Sequence, residues 1–333
     1  MVHGLRRLAA LALAMTTAGL GTSDATEDGA ASTGASLAER VARLESSLDE
    51  ERVRRGAKTF ARACAVCHGR SGRGDGPAAA DLDPAPRDLT TRQFRFRSTS
   101  SGALPRPEDL ERTIRQGLPG SSMPAFDKLL SSEQIAEVID FLESLQPAET
   151  RAEPAEPLSI SPVSPATPAA IEEGRAVYML TGCWTCHGLR GDGRGPSAAG
   201  LLDENERPIR STDFRYDPLK GGHDAASVVT TLRTGLNGAP MPSYDEAMVF
   251  AREDFEDLSF LPAELPAQDR EDLEALLRAA PSRADLERMG SEELEALRDR
   301  RLAALAHYVL SLDRRRGLWY RLFREQPERE RRD

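Results

Sequence analysis

Apolar positions along the chain predict helices and little else. Leu37, Val41, Leu44 and Leu48 recur at spacings of 4, 3 and 4, the pattern of a short amphipathic helix. About two heptads make a weak coiled coil, so this segment reads as a surface helix on the first domain, with a small oligomerisation seam as the alternative. A second helical stretch, Gly56 to Ala63, contains Phe60. Ser131-Ser132-Glu133-Gln134 then opens a run of Ile135, Val138, Ile139, Leu142 and Leu145. A serine ahead of the run can bond free amide groups, and the acid suits the helix N-terminus. Near the end of the chain, Leu302, Leu305, Ala306, Val309 and Leu312 mark a further helix with an apolar face.

The second half repeats the plan of the first. Gly174 and Tyr178 precede Cys183 much as Gly56 and Phe60 precede Cys64. The glycine-rich stretch from His68 to Pro77 is matched by His187 to Pro196, and Arg115 to Phe126 is matched by Arg233 to Tyr244. The halves differ in length near their ends. Met123 to Phe141 is 18 residues, whereas Met241 to Tyr308 is 67, so the second half carries an insertion of about 49 residues, roughly 246–295. Its Glu, Leu and Arg content predicts a mostly helical segment. Between the halves lie six prolines from Pro147 to Pro168. Proline fixes φ and removes a donor, so this stretch is expected to be extended rather than packed, and to mark a domain boundary.

Composition narrows the class. The 333 residues suffice for two domains, and the formal net charge of -10 argues against a nucleic-acid binder. Arg6 and Arg7 precede an apolar run from Leu8 to Leu20, which is short for a membrane span and suited to a secretory signal, followed by small residues. A Gly/Ala/Ser/Thr-rich stretch, 22–36, reads as disordered. After Leu312, Arg314, Arg315, Arg316, Arg321 and Arg324 surround Leu318, Trp319, Tyr320, Leu322 and Phe323, a basic aromatic tail. The expected organisation is a signal over 1–22, the stretch and helix over 23–51, a first domain over 52–146, a proline-rich linker over 147–169, a second domain over 170–313 and the tail over 314–333.

All four cysteines lie in two motifs, Cys64-Ala65-Val66-Cys67-His68 and Cys183-Trp184-Thr185-Cys186-His187. A c-type haem is held by two thiols added across the porphyrin vinyl groups. A spacing of three lets both reach one ring edge, and the following imidazole points at the iron. Cys64, Cys67, Cys183 and Cys186 are therefore expected to form thioethers to two covalently bound haem c groups, with His68 and His187 as iron ligands. A zinc or redox CxxC site is the competing reading, but it explains neither the histidine nor the repeat.

The sixth ligand calls for another donor downstream. Met123 lies 55 residues after His68 and Met241 lies 54 after His187, each in a Gly/Pro-rich loop. A thioether favours ferrous iron relative to imidazole, so a His/Met pair raises the potential. The competing view, that each methionine only packs, is weakened by the matched positions. His223 has no counterpart in the first half and reads as a loop residue. His307 falls on the last helix, and Met248 and Met289 break the repeat.

Each half resembles the small, Met-ligated, all-helical cytochrome c fold. The whole resembles bacterial dihaem cytochromes c, including electron-transfer subunits of larger redox enzymes. The matching stretches are 56–146, 172–244 and 301–312. The resemblance implies an all-α protein of two tandem cytochrome c-like domains, with loops between the ligands covering the haem edge. Arg87 and Arg210 are then candidates to meet haem propionates, with a solvated loop role as the alternative.

Two six-coordinate irons leave no open position for a substrate, so the expectation is electron transfer in the periplasm rather than catalysis. Redox proteins are the expected partners, with no small-molecule substrate. The N-terminal helix, the insertion and the tail are candidate docking elements on a membrane-associated complex. The rival is a dihaem peroxidase or another haem enzyme with one displaceable or missing distal ligand.

Overall fold

The computed structural model describes residues 37–91, 93–146 and 155–315. The signal, the small-residue stretch and most of the basic tail lie outside these residues. So do the side chains of Leu37, Val41, Leu44 and Leu48.

Among the described residues the protein is helical, with one isolated bridge between Leu202 and Pro208. In the first repeat, α1 (Leu37–Ala63) is followed by a single turn, α2 (Ala65–His68), then α3 (Pro107–Gln116) and α4 (Ser132–Ser144). The second repeat runs α5 (Pro168–Leu180), α6 (Trp184–His187) and α7 (Ala225–Thr234), then α8 (Ala267–Ala279), α9 (Arg283–Arg288) and α10 (Ser291–Ser311). The two N-terminal helical patterns of the sequence are one continuous helix, because no Gly/Pro pair or cap separates them.

The caps explain the helix starts. At α4, Ser131 Oγ accepts from Gln134 N at 3.2 Å and Gln134 Oε1 accepts from Ser131 N at 2.9 Å, a reciprocal box around the serine cap expected from the sequence. Thr167 caps α5 by accepting from Ala170 N, with Pro168 in the first turn. Asp224 caps α7 by accepting from Ser227 N.

Each repeat is built on a close crossing of its first and last long helices. A Cβ at Gly56 would collide with the carbonyl oxygen of Glu137, and one at Gly174 with that of Ala304. Glycine therefore lets the backbones touch. Beside each crossing two aromatic rings meet, Phe60 with Phe141 at 5.0 Å and Tyr178 with Tyr308 at 5.2 Å. In the first repeat Arg52 and Arg55 of α1 add ion pairs to Asp140 and Glu137 of α4.

The insertion is not an appended arm. Met248, Phe250, Leu261, Leu265 and Leu273 are buried in one cluster with Tyr178, Leu302 and Leu305. Its first part, up to Pro266, forms short 3-10 turns and loops, so only the second part bears out the helical expectation. Arg301 of α10, fully buried, donates to Met248 O at 2.7 Å and Phe250 O at 3.3 Å and lies 3.5 Å over the Phe250 ring. Burial pulls its guanidinium down to about 10. Carbonyl acceptors and the aromatic face offset part of the cost of burying that charge.

Residues 155–167 of the linker form no helix or strand and are mostly exposed, yet they make specific contacts with both repeats. Leu158 N donates to Ser98 O at 2.8 Å, Arg233 donates to Ser159 O, and His307 Nε2 donates to Ser164 O at 2.8 Å. Ile160 and Val163 lie against the second core. The two repeats also touch directly. Arg87 pairs with Glu204, Arg95 donates to Gly238 O at 3.3 Å, and Asn237 Oδ1 accepts from Gly102 N at 3.0 Å.

Because Leu273 of α8, the insertion helix that packs on α5, is wholly buried, Leu273→Ala is expected to lower stability by about 2–5 kcal/mol. Denaturant titration checks this; an unchanged midpoint would mean that the insertion is peripheral.

Candidate haem sites

The first motif sits at the end of α1. Cys67 N and His68 N both donate to Cys64 O, at 3.1 and 2.9 Å, closing one helical turn. Side chains three apart on such a turn lie on the same side, so the two thiols are presented together. Gly69 ends the turn at φ 73, and the chain folds back over it. Gly74 N donates to His68 O at 2.9 Å, Gly76 N to Cys67 O at 3.1 Å, and Ala78 N to Val66 O at 3.0 Å.

This return places a backbone acceptor beside the imidazole. His68 Nδ1 donates to Arg87 O at 2.9 Å. Two residues later, Leu89 N closes on Gly72 O at 2.6 Å. With its proton held at Nδ1, the ring keeps Nε2 as its lone-pair nitrogen. Burial pulls His68 below the ordinary imidazole value, which favours the neutral, ligating form.

The second motif repeats these bonds. His187 N donates to Cys183 O at 2.9 Å, Gly193 N to His187 O at 2.8 Å, Gly195 N to Cys186 O at 3.1 Å, and Ser197 N to Thr185 O at 2.7 Å. His187 Nδ1 donates to Thr212 O at 3.1 Å, and Phe214 N, again two residues on, closes on Gly191 O at 2.7 Å. Burial pulls His187 down as well. Two features belong to this site alone. Phe214 stacks on the imidazole with ring centroids 4.3 Å apart, and Tyr178 Oη donates to Gly188 O at 2.7 Å, a bond Phe60 cannot make.

The four cysteines are unbridged thiols. Burial pushes the Cys64 and Cys183 thiols up to about 11. Among the described residues no three His, Cys, Asp or Glu side chains are grouped to hold a metal ion directly. The donor set instead suits a haem: two thiols and a neutral imidazole with a free Nε2 on one turn. In the second motif the Trp184 indole N–H is buried without a partner, an orphan donor that a bound group with polar edges can satisfy.

The methionine loops are also built alike. Gly117 and Gly235 both adopt φ 64 at the ends of α3 and α7. Leu118 N donates to Met123 O, and Leu236 N to Met241 O, each at 3.0 Å. Phe126 N then returns to Ile114 O at 3.1 Å, and Tyr244 N to Leu232 O at 2.8 Å. Met123 packs against the same core as Cys64, and Met241 against the same core as Cys183. Each half thus brings the first cysteine of its motif and its methionine to one core.

The other candidates are placed elsewhere. His223 Nε2 accepts from Leu219 N at 2.9 Å, His307 holds the linker, and Met248 is buried in the second core. Arg87 directs its side chain to Glu204, and Arg210 is exposed. Sequence reading missed the carbonyls of Arg87 and Thr212. Their only signal was register: both stand two residues ahead of the apolar residue that closes the glycine loop.

Residues 51–142 match the family model of cytochrome c oxidase, cbb3-type, subunit III, and residues 171–313 match that of cytochrome c. Comparison with curated proteins gives no significant match. Among solved structures, the chain is similar to a chain of the reducing HAO-like protein complex of Kuenenia stuttgartiensis. The two are 31% identical with a TM-score of 0.59, over 78% of this chain and 96% of that one. A cytochrome c match in each repeat, and a relative matched over nearly its whole length, place this chain in the cytochrome c family as a dihaem cytochrome c.

Proposed function

We propose that the protein is an exported, periplasmic electron-transfer cytochrome with two His/Met-ligated haems. Cys64 and Cys67 would hold the first haem covalently, with His68 and Met123 on its iron. Cys183 and Cys186 would hold the second, with His187 and Met241. When bound, the haem supplies reversible one-electron chemistry at iron.

The observation that carries this reading is the duplicated site. In both repeats an Nδ1 hydrogen bond to a backbone carbonyl fixes the ring and its tautomer. That bond also raises the basicity of Nε2 as a ligand. In both, a loop of the same hydrogen-bond pattern carries one methionine to the core that holds the first cysteine of the motif. A soft sulfur opposite a neutral imidazole favours the ferrous state. With a histidine and a methionine both bound to each iron, no position would be open to a substrate, and the chain's own residues would position, insulate and tune the haem.

Redox proteins are the proposed partners. The solved relative is part of a protein complex, which supports a role as an electron-transfer subunit beside that of a free carrier. Among the described residues no helix is long and apolar enough to cross a membrane, so any attachment to a membrane complex would be peripheral in this region.

The as-isolated protein is expected not to bind carbon monoxide when reduced. Met123→Ala and Met241→Ala are each expected to open one haem to it. Each should also remove part of the weak far-red absorption of methionine-bound ferric iron. Binding of carbon monoxide to one haem of the unaltered protein would instead support a haem enzyme with an open site.

A further inference from the structure

We propose that Arg97, a residue of the first repeat, is a positioning residue for the second haem's sixth ligand. It clamps the loop that carries Met241 from outside its own domain. This inference rests on Met241 being that ligand.

Arg97 is 1% exposed. Its Nη2 donates to Thr234 O at 2.6 Å and its Nη1 to Gly235 O at 3.4 Å. These carbonyls belong to the residues where α7 ends and the Met241 loop begins. The outgoing limb of the loop comes back to the same place, since a Cβ on Gly235 would meet Ser243 N and Pro242 C. The rest of the guanidinium is locked to its own segment, through Ser100 O at 3.2 Å and Phe94 O at 3.3 Å. Arg97 is therefore a buried strut between a fixed loop of one repeat and the hinge of the ligand loop in the other.

Neighbouring contacts reach the same loop. Arg95 donates to Gly238 O at 3.3 Å. Asn237 accepts from Gly102 N at 3.0 Å and donates to Ala103 O at 3.3 Å. Glu204, which Arg87 engages, donates its own N–H to Gly238 O at 3.3 Å. The first loop, against which Pro218 of the second repeat packs at Gly120, lacks such hydrogen bonds at its hinge. Among the described residues no side chain of the second repeat bonds to Gln116 or Gly117, the counterparts of Thr234 and Gly235.

A methionine leaves iron only if its loop swings away. Loss of buried hydrogen bonds from a charged donor shifts a loop toward its open form, and the apparent affinity of a competing ligand rises with the open fraction. Imidazole titration of the ferric holoprotein, followed at the far-red band, reads that fraction. Met241→Ala identifies the step that belongs to the second haem.

In Arg97→Gln, imidazole affinity at the second haem is expected to rise about tenfold, while the first haem stays unchanged. Arg97→Lys, which keeps the charge but not the planar fork, should fall between. Unchanged affinity at the second haem, or an equal rise at both, would overturn the clamp. If Arg97→Gln fails to retain haem, Asn237→Ala removes two contacts from the same loop. It should give the same selective rise, and its failure to do so would also overturn the proposal. A native protein with no Met241-dependent step would instead refute the His/Met reading itself.

Discussion

One hydrogen bond recurs at the centre of each repeat: imidazole Nδ1 to a backbone carbonyl, 19 residues on in the first and 25 in the second. Much of the local architecture is what it takes to make that bond. The glycines after each motif adopt positive φ so that the chain can turn back over the single helical turn. The returning amides of Gly74 and Gly193 cap the carbonyls of the two histidines. The apolar residue after each acceptor, Leu89 or Phe214, closes the loop and fixes the carbonyl in place. An imidazole held this way has one defined tautomer, and burial favours its neutral ring, as ligation requires.

The helices serve the same end at longer range. Gly56 and Gly174 let the first and last helices of each repeat meet backbone to backbone, which sets the floor on which the cysteines stand. The second repeat then diverges. Its insertion extends the core around α5 and α10, and Arg301 is buried to tie the two together. Its motif gains a stacked phenylalanine and a tyrosine hydroxyl, and its ligand loop is gripped by the first repeat. Two sites of one plan thus sit in unequal surroundings, a usual route to two different potentials, because burial and second-shell bonding tune haem iron.

Much of this was legible in the sequence because it is local. Cys64 to His68 and Cys183 to His187 announce themselves by spacing. The Met123 and Met241 loops follow from the repeat, and α4 from Ser131, Gln134 and its apolar stripe. Backbone acceptors such as Arg87 O and Thr212 O have no residue signature. Arg97 lies in a run of alternating arginine and phenylalanine that carries no motif, because burial of a charge depends on distant carbonyls. The proline linker was legible as a break between the repeats, since proline sets φ and removes a donor, but the surfaces it touches are a tertiary fact. The insertion's place in the core was hidden for the same reason: Met248 and Leu273 do not say which helices cover them.

The central claim is that two complete haem sites were built from one plan. It is tested most directly by counting haems that stay attached to the exported chain after denaturation, by intact mass and by absorption. Two thioether-bound haems per chain are expected. A count of zero or one would contradict it.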